Sequence, residues 1–378
     1  MKKSVLITII AGVLLIILIF ANINIHLCRA IIYGSPSIDD VEHSHYDTVP
    51  NGVYMPWILG SKHNIPFPSE FEKRSEELKT TAFFVCTDTL LLSEHYWLGY
   101  HKDSLSNPFS ITKSIVSLLV GQAIEEGFIK SVDDKVVTYL PEFNTNGKET
   151  ITIKDLLTMS SGFDFDEDDK TLFSPIAKLY YGKNLYKQVC GLKRVKPSGQ
   201  SFEYQSINTQ VLGIILERTT QMPLSFYAAS RLWIPLGMRS YALWGKDDKK
   251  NTKAFCCLNT VARDLARIGQ LIINNGKWNG LQLVPESYVR KATSSVVVRD
   301  SINRYEGYGY QFWTTRYKED NIVYARGILG QYLIIIPSKK LIIVRLGQKR
   351  DQKMVNGNPQ DLYMWIEAGL RIKAEEDK

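Results

Sequence analysis

Hydrophobic positions divide this chain into three kinds of stretch. After Met1-Lys2-Lys3, an uncharged run rich in Leu, Ile and Val extends from Ser4 to Ala21. About 20 consecutive apolar residues suffice to cross a bilayer core, so this run predicts a transmembrane helix. The leading lysines place its N-terminus inside and the rest of the chain outside, in the periplasm or cell exterior. An uncleaved anchor is favoured, with cleavage near Cys28-Arg29-Ala30 as the alternative. Next, residues 31–75 lack a sustained period and are broken by Pro36, Pro50, Pro56, Pro66 and Pro68, as in a loop-rich extension.

From residue 76 the pattern becomes that of a folded domain, running to about residue 374. TTAFFVCTDTLLLSEHYWLGY (80–100) predicts two strands around Thr87-Asp88. SITKSIVSLLVGQAIEEG places Ile111, Ile115, Leu118 and Leu119 at helical spacing and predicts a helix from Ser110 to near Gly127. Helical periods recur at 151–162, 208–220, 223–238 and 261–276. Strand character returns at 306–313, 331–337 and 340–346, and a last helical pattern carries Leu362, Ile366 and Leu370. Strands at both ends therefore bracket a helical middle. The economical arrangement is α+β: one antiparallel sheet closed by early and late strands, helices on its faces, and a mainly helical insertion.

Composition narrows the function. Hydrophobic residues make up 44% and charged residues 22% of the 378, which excludes wholesale disorder. The net charge of +7 is modest and its lysines and arginines are mixed with acids, so no nucleic-acid partner is expected. The cysteines are Cys28, Cys86, Cys190, Cys256 and Cys257, odd in number and without metal-ligand spacing, and are read as isolated buried thiols. His43-Ser44-His45-Tyr46-Asp47 imitates a metallo-hydrolase motif. However, all six histidines precede Ser110, which leaves later ligands missing and weakens a Ser-His-Asp triad as well. Asp164-Phe165-Asp166-Glu167-Asp168-Asp169 lacks the glycine and glutamate of a calcium loop and reads as an acidic surface loop near the cleft. No metal or cofactor is expected.

Ser110-Ile111-Thr112-Lys113 is the only serine with a lysine three residues on. Residues three apart share one helix face, so the amine can reach the hydroxyl. A desolvated lysine can then take the proton of an otherwise poor nucleophile. Two later segments offer the other parts of an acyl-transfer site. Tyr204, in Phe202-Glu203-Tyr204-Gln205-Ser206, stands on a loop ahead of a helix, and a phenol beside a lysine cation is expected to have a lowered pKa. Ala325-Arg326-Gly327-Ile328-Leu329-Gly330-Gln331 has glycines that let a main-chain N–H approach a ligand.

These three motifs, in this order, resemble the serine β-lactamase and penicillin-binding-protein superfamily, in its class C-like, esterase and 6-aminohexanoate-dimer hydrolase branch. The resemblance covers roughly residues 80–370 and extends to ITIKDLLTMSSGFDFDED, FEYQSINTQVLGIILE, PLGM, TVARDLARIGQLIINNGKWNG, YGYQFW and GILGQ. It implies Ser110 as acylated nucleophile, Lys113 as its proton partner and Tyr204 as proton shuttle. The N–H groups of Ser110 and Ile328 would form the oxyanion hole, with Gly327, Ser206, Gly330, Gln331 and Arg326 lining the substrate site. Two departures stand out: Ser206 replaces a substrate-binding amide, and Ala325 stands where β-lactamases carry a cation. Arg326 is adjacent, but strand alternation turns it to the other face. An esterase or amidase of small ester, amide or peptide substrates is therefore expected. The alternatives are a D-alanyl-D-alanine carboxypeptidase or β-lactamase, and a silent membrane-tethered binding domain.

Overall fold

The computed structural model describes residues 6–12, 22, 24–43, 45–168, 171–296 and 307–378. Among these, the central sheet has eight strands: β1 (Ile58–Leu59), β2 (Thr80–Thr87), β3 (Leu90–Tyr96), β4 (Gly307–Tyr308), β5 (Trp313–Tyr317), β6 (Asp320–Gly327), β7 (Gln331–Ile336) and β8 (Leu341–Gly347). Their spatial order is β1-β3-β2-β8-β7-β6-β5-β4, antiparallel throughout except for the short β1–β3 pair. The late strands thus close against the early ones, Ile342 facing Cys86 and Val344 facing Phe84.

Both faces of this sheet are covered, which is why β7 and β8 read as unbroken apolar runs rather than as an alternation. Phe84, Leu333, Ile335, Ile342 and Val344 belong to one core with helices α1 (Ile111–Glu125), α2 (Ser206–Thr220) and α3 (Ala262–Ile273). Phe83, Val85, Ile334 and Ile343 belong to a second core with α4 (Gln360–Glu376). Helix α1 is buried on every side from Ile111 to Ala123, because it lies between the sheet and the helical insertion.

The expected strand over 306–313 is interrupted. Gly309–Phe312 leave the sheet, and Gln311 takes a φ of 63°. Its side-chain amide donates to the carbonyls of Leu156 and Leu157 (both 3.0 Å) and accepts from Thr209 Oγ1 at 2.7 Å, while its backbone oxygen accepts from Ser114 Oγ at 2.6 Å. One buried residue thereby ties the sheet to α1, to α2 and to helix Ile153–Leu157. Strand His45–Val49, within the loop-rich extension, pairs with Ala242–Lys246 in a separate small sheet.

The transmembrane helix is corrected. Residues 4–5 and 13–21 of the expected span lie outside the described residues, while 6–12 are helical. No helix among the described residues is long and apolar enough to cross a membrane. A span requires about 20 residues at roughly 1.5 Å each. The membrane contact through residues 4–21, and the periplasmic or extracellular placement that rested on it, are withdrawn with it. The cysteine reading also changes: Cys256 and Cys257 are bonded to each other, while Cys28, Cys86 and Cys190 are free.

Candidate active site

Ser110 stands at the N-terminal end of α1, delivered by a tight turn. Asn107 Oδ1 accepts the Phe109 N–H at 2.9 Å, and Phe109 sits in the left-handed region at φ 48°. The Ser110 side chain makes no capping bond to α1. Instead its Oγ accepts from Lys113 Nζ at 2.8 Å. Lys113, 1% exposed, also donates to the Phe255 carbonyl at 2.9 Å. Burial pushes its amine down to about 8, with the negative charge of Glu167 pulling the other way. A buried amine that gives up its proton near neutrality, held on a serine oxygen, is the arrangement that activates a hydroxyl nucleophile.

Tyr204 completes the cluster. Lys113 Nζ lies 5.2 Å from its ring centroid, and the Ser110 hydroxyl acts on its phenol in favour of the ionised form. The ring stacks on Trp313 at 5.4 Å. The expected lowering of its pKa does not occur. Burial raises it, the Glu167 charge raises it further, and the Ser110 hydroxyl and Arg326 only partly compensate. The phenol therefore keeps its proton and is a donor, whereas Lys113 is the group able to accept one.

Glu167, part of the run read as a surface loop, reaches across to α2. Its carboxylate accepts the Ser206 N–H at 2.7 Å and also the Ser206 hydroxyl. An acid at a helix N-terminus satisfies an orphan donor there. Ser206 is thus committed to Glu167, and Gln205 donates to the Phe163 and Phe165 carbonyls.

The glycine segment forms the opposite wall. Strand β5 pairs with β6 only as far as Tyr324, so Ala325–Gly327 run on past it. Ala325 is buried in the α1-side core, while Arg326 lies on the other face, its guanidinium 3.8 Å from the Trp313 ring centroid and bonded to Asn358 Oδ1. At Gly327 the strand meets the turn carrying the serine: an added Cβ would lie 2.3 Å from the Pro108 oxygen and 3.1 Å from Phe109 Cβ. Beyond it, Ile328–Gly330 form a 3-10 turn with Ile328 37% exposed. Gly330 and Gln331 face the scaffold. Gln331 Nε2 donates to the Ile328 and Gly347 carbonyls, and Arg345, fully buried, donates to the carbonyls of Leu329, Gly330, Lys349 and Leu78. Arg345 braces the turn from behind, as Glu167 and the Phe255 carbonyl brace Ser206 and Lys113. The sequence marks none of the three as a site group.

Gly327→Ala is accordingly expected to displace the Ser110 turn. Overpacking of this kind costs about 1–3 kcal/mol in stability. A sub-ångström to ångström shift of a nucleophile lowers kcat by about 10- to 100-fold. Urea unfolding together with steady-state kinetics checks both; wild-type kcat in the variant contradicts the close approach.

Comparison with known proteins bears on the family and the fold. A family model described as Beta-lactamase matches residues 71–362. The 6-aminohexanoate-dimer hydrolase of Paenarthrobacter ureafaciens is 26% identical over 353 residues, covering 84% of this chain and 89% of its own. Among solved structures, a putative 6-aminohexanoate-dimer hydrolase from Bacillus anthracis superposes with a TM-score of 0.74 at 22% identity, covering 90% of this chain and 93% of that one. A class C beta-lactamase mutant shares the fold at a TM-score of 0.58 and 15% identity, over 80% of this chain and 93% of that one. The chain belongs to the Beta-lactamase family and is a serine hydrolase of the amidase and esterase kind.

Proposed function

We propose that the protein hydrolyses small ester or linear amide substrates through an acyl-enzyme on Ser110. The observation that carries this reading is the 2.8 Å contact between Lys113 Nζ and Ser110 Oγ, made by an amine that burial holds near neutrality. Neutral Lys113 takes the Ser110 proton as Oγ attacks the carbonyl carbon. The Ser110 and Ile328 N–H groups receive the oxyanion, since the approach of Gly327 to Pro108 puts the two turns side by side. Tyr204, protonated, passes its proton to the leaving oxygen or nitrogen and regains one through Lys113. Water then attacks the acyl carbon by the same relay, releasing the acid and restoring Ser110.

Two positions favour ester and linear amide over β-lactam or D-Ala-D-Ala substrates. Ser206 is held by Glu167, and Arg326 is packed on Trp313, so neither supplies the amide or the cation expected for such ligands. The Paenarthrobacter relative is named for hydrolysis of a 6-aminohexanoate dimer, which supports an amide substrate. The test is a panel of nitrophenyl esters, aminohexanoate-type linear amides, a chromogenic cephalosporin and a D-Ala-D-Ala peptide. Esters or linear amides are expected to exceed the other two in kcat/KM by about 100-fold. A cephalosporin turned over fastest would overturn the substrate class.

A further inference from the structure

The turn that holds Lys113 carries an unusual covalent feature. Phe255, whose carbonyl accepts from Lys113 Nζ at 2.9 Å, is followed directly by the bonded pair Cys256–Cys257. Both cysteines are buried, and Cys257 occupies the left-handed region at φ 68°, a conformation that a residue with a Cβ rarely adopts unaided. A disulfide between neighbours closes almost no loop, so the chain-entropy gain that most disulfides bring is nearly absent here. What it does constrain is the local course of the backbone.

The rest of the turn is anchored on either side of this pair. Upstream, Gln210 of α2 donates to the Thr252 carbonyl at 2.8 Å and accepts the Ala254 N–H at 3.0 Å. Trp244 Nε1 donates to the Lys253 and Cys256 carbonyls, and the Gly245 N–H donates to the Cys257 carbonyl at 2.9 Å. Between these anchors, the Phe255 carbonyl accepts from Lys113 of α1, while the N–H of the same peptide unit, that of Cys256, donates to the Lys253 carbonyl at 3.2 Å.

We propose that the Cys256–Cys257 disulfide is a thiol-sensitive positioning element for Lys113: it fixes the turn whose Phe255 carbonyl holds the amine, and its reduction lowers turnover without unfolding the protein. The inference rests on the reading of Lys113 as the proton acceptor for Ser110. Chemically, a dithiol reductant delivers two electrons and two protons. Its first thiolate attacks one cysteine sulfur to give a mixed disulfide, and its second closes the reductant's own disulfide, leaving two protein thiols. Residue 257 is then free to leave φ 68°, and the Phe255 carbonyl moves with it. Lys113 loses its fixed acceptor and its aim on Ser110 Oγ.

The full chain is incubated with dithiothreitol, quenched with iodoacetamide, and the peptide spanning 256–257 is followed by mass spectrometry alongside ester hydrolysis. The untreated protein is expected to show no alkylation at the pair. After reduction the peptide gains two carbamidomethyl groups, kcat falls by about tenfold with KM little changed, the circular dichroism spectrum is retained, and reoxidation restores the rate. Cys190→Ser, at a free cysteine, is expected to keep the full response. If the reductant does not reach the buried pair, the Cys256→Ser/Cys257→Ser double variant decides. Low kcat, indifferent to dithiol, supports the proposal. Wild-type kcat in that variant or in the doubly alkylated enzyme overturns it, as does a pair found reduced in the untreated protein. Should Lys113→Ala itself keep wild-type turnover, the underlying reading fails instead, so the two failures are separable.

Discussion

Ser110→Ala is expected to leave ester hydrolysis at least about 10⁴-fold below wild type, with the fold intact. No route around this residue is evident in the cluster. Among the described residues, the hydroxyl is the one side-chain oxygen to which Lys113 is bonded. Removing Oγ leaves the amine bonded to the Phe255 carbonyl, so the stability cost is that of one hydrogen bond, about 1 kcal/mol. Kinetics on a nitrophenyl ester, paired with thermal unfolding, checks both halves. A variant that melts near wild type yet retains more than a trace of activity would mean that another nucleophile acts.

The second large effect is at Lys113. Lys113→Ala is expected to lower kcat/KM by about 10³-fold, the middle of the range for loss of a general base. It should also remove a specific limb of the pH profile. Burial holds the wild-type amine at about 8, below the ordinary lysine value. The free amine, the form proposed to accept the Ser110 proton, is therefore scarce well below pH 8 and dominant above it. Wild-type kcat/KM should rise through about pH 8 and level off. The alanine variant should lack that rise. Lys113→Arg should not rescue, because a guanidinium stays protonated and has no lone pair to offer. A wild-type profile that is flat from pH 6 to 10 would contradict the assignment.

The parts of this site that sequence makes visible are those governed by spacing along one element. Serine and lysine three apart on an amphipathic run can be read as a pair, and 331–337 with 340–346 can be read as a hairpin of the central sheet. The parts it hides are reached across the fold. Glu167 meets Ser206 over 39 residues of chain, and in an acidic run it looks like solvated loop. The Phe255 carbonyl is a main-chain acceptor and has no residue signature at all. Arg345 sits in KLIIVRLG as one polar residue in a strand, although it is fully buried and serves four carbonyls of surrounding turns. The direction of the Tyr204 shift is hidden for a related reason: the sequence shows a neighbouring cation, but not the burial and the Glu167 charge that outweigh it. The apolar run 4–21 misled differently. Hydropathy counts residues, whereas no helix among the described residues is long and apolar enough to cross a membrane.

The most direct measurement is to trap the covalent intermediate. The full-length protein is treated with a fluorophosphonate, digested, and the adduct located by mass spectrometry. One adduct is predicted, on the peptide carrying Ser110, absent from Ser110→Ala and forming faster as pH rises through about 8. An adduct on a different residue, or undiminished ester hydrolysis by Ser110→Ala, would contradict the acyl-enzyme on Ser110.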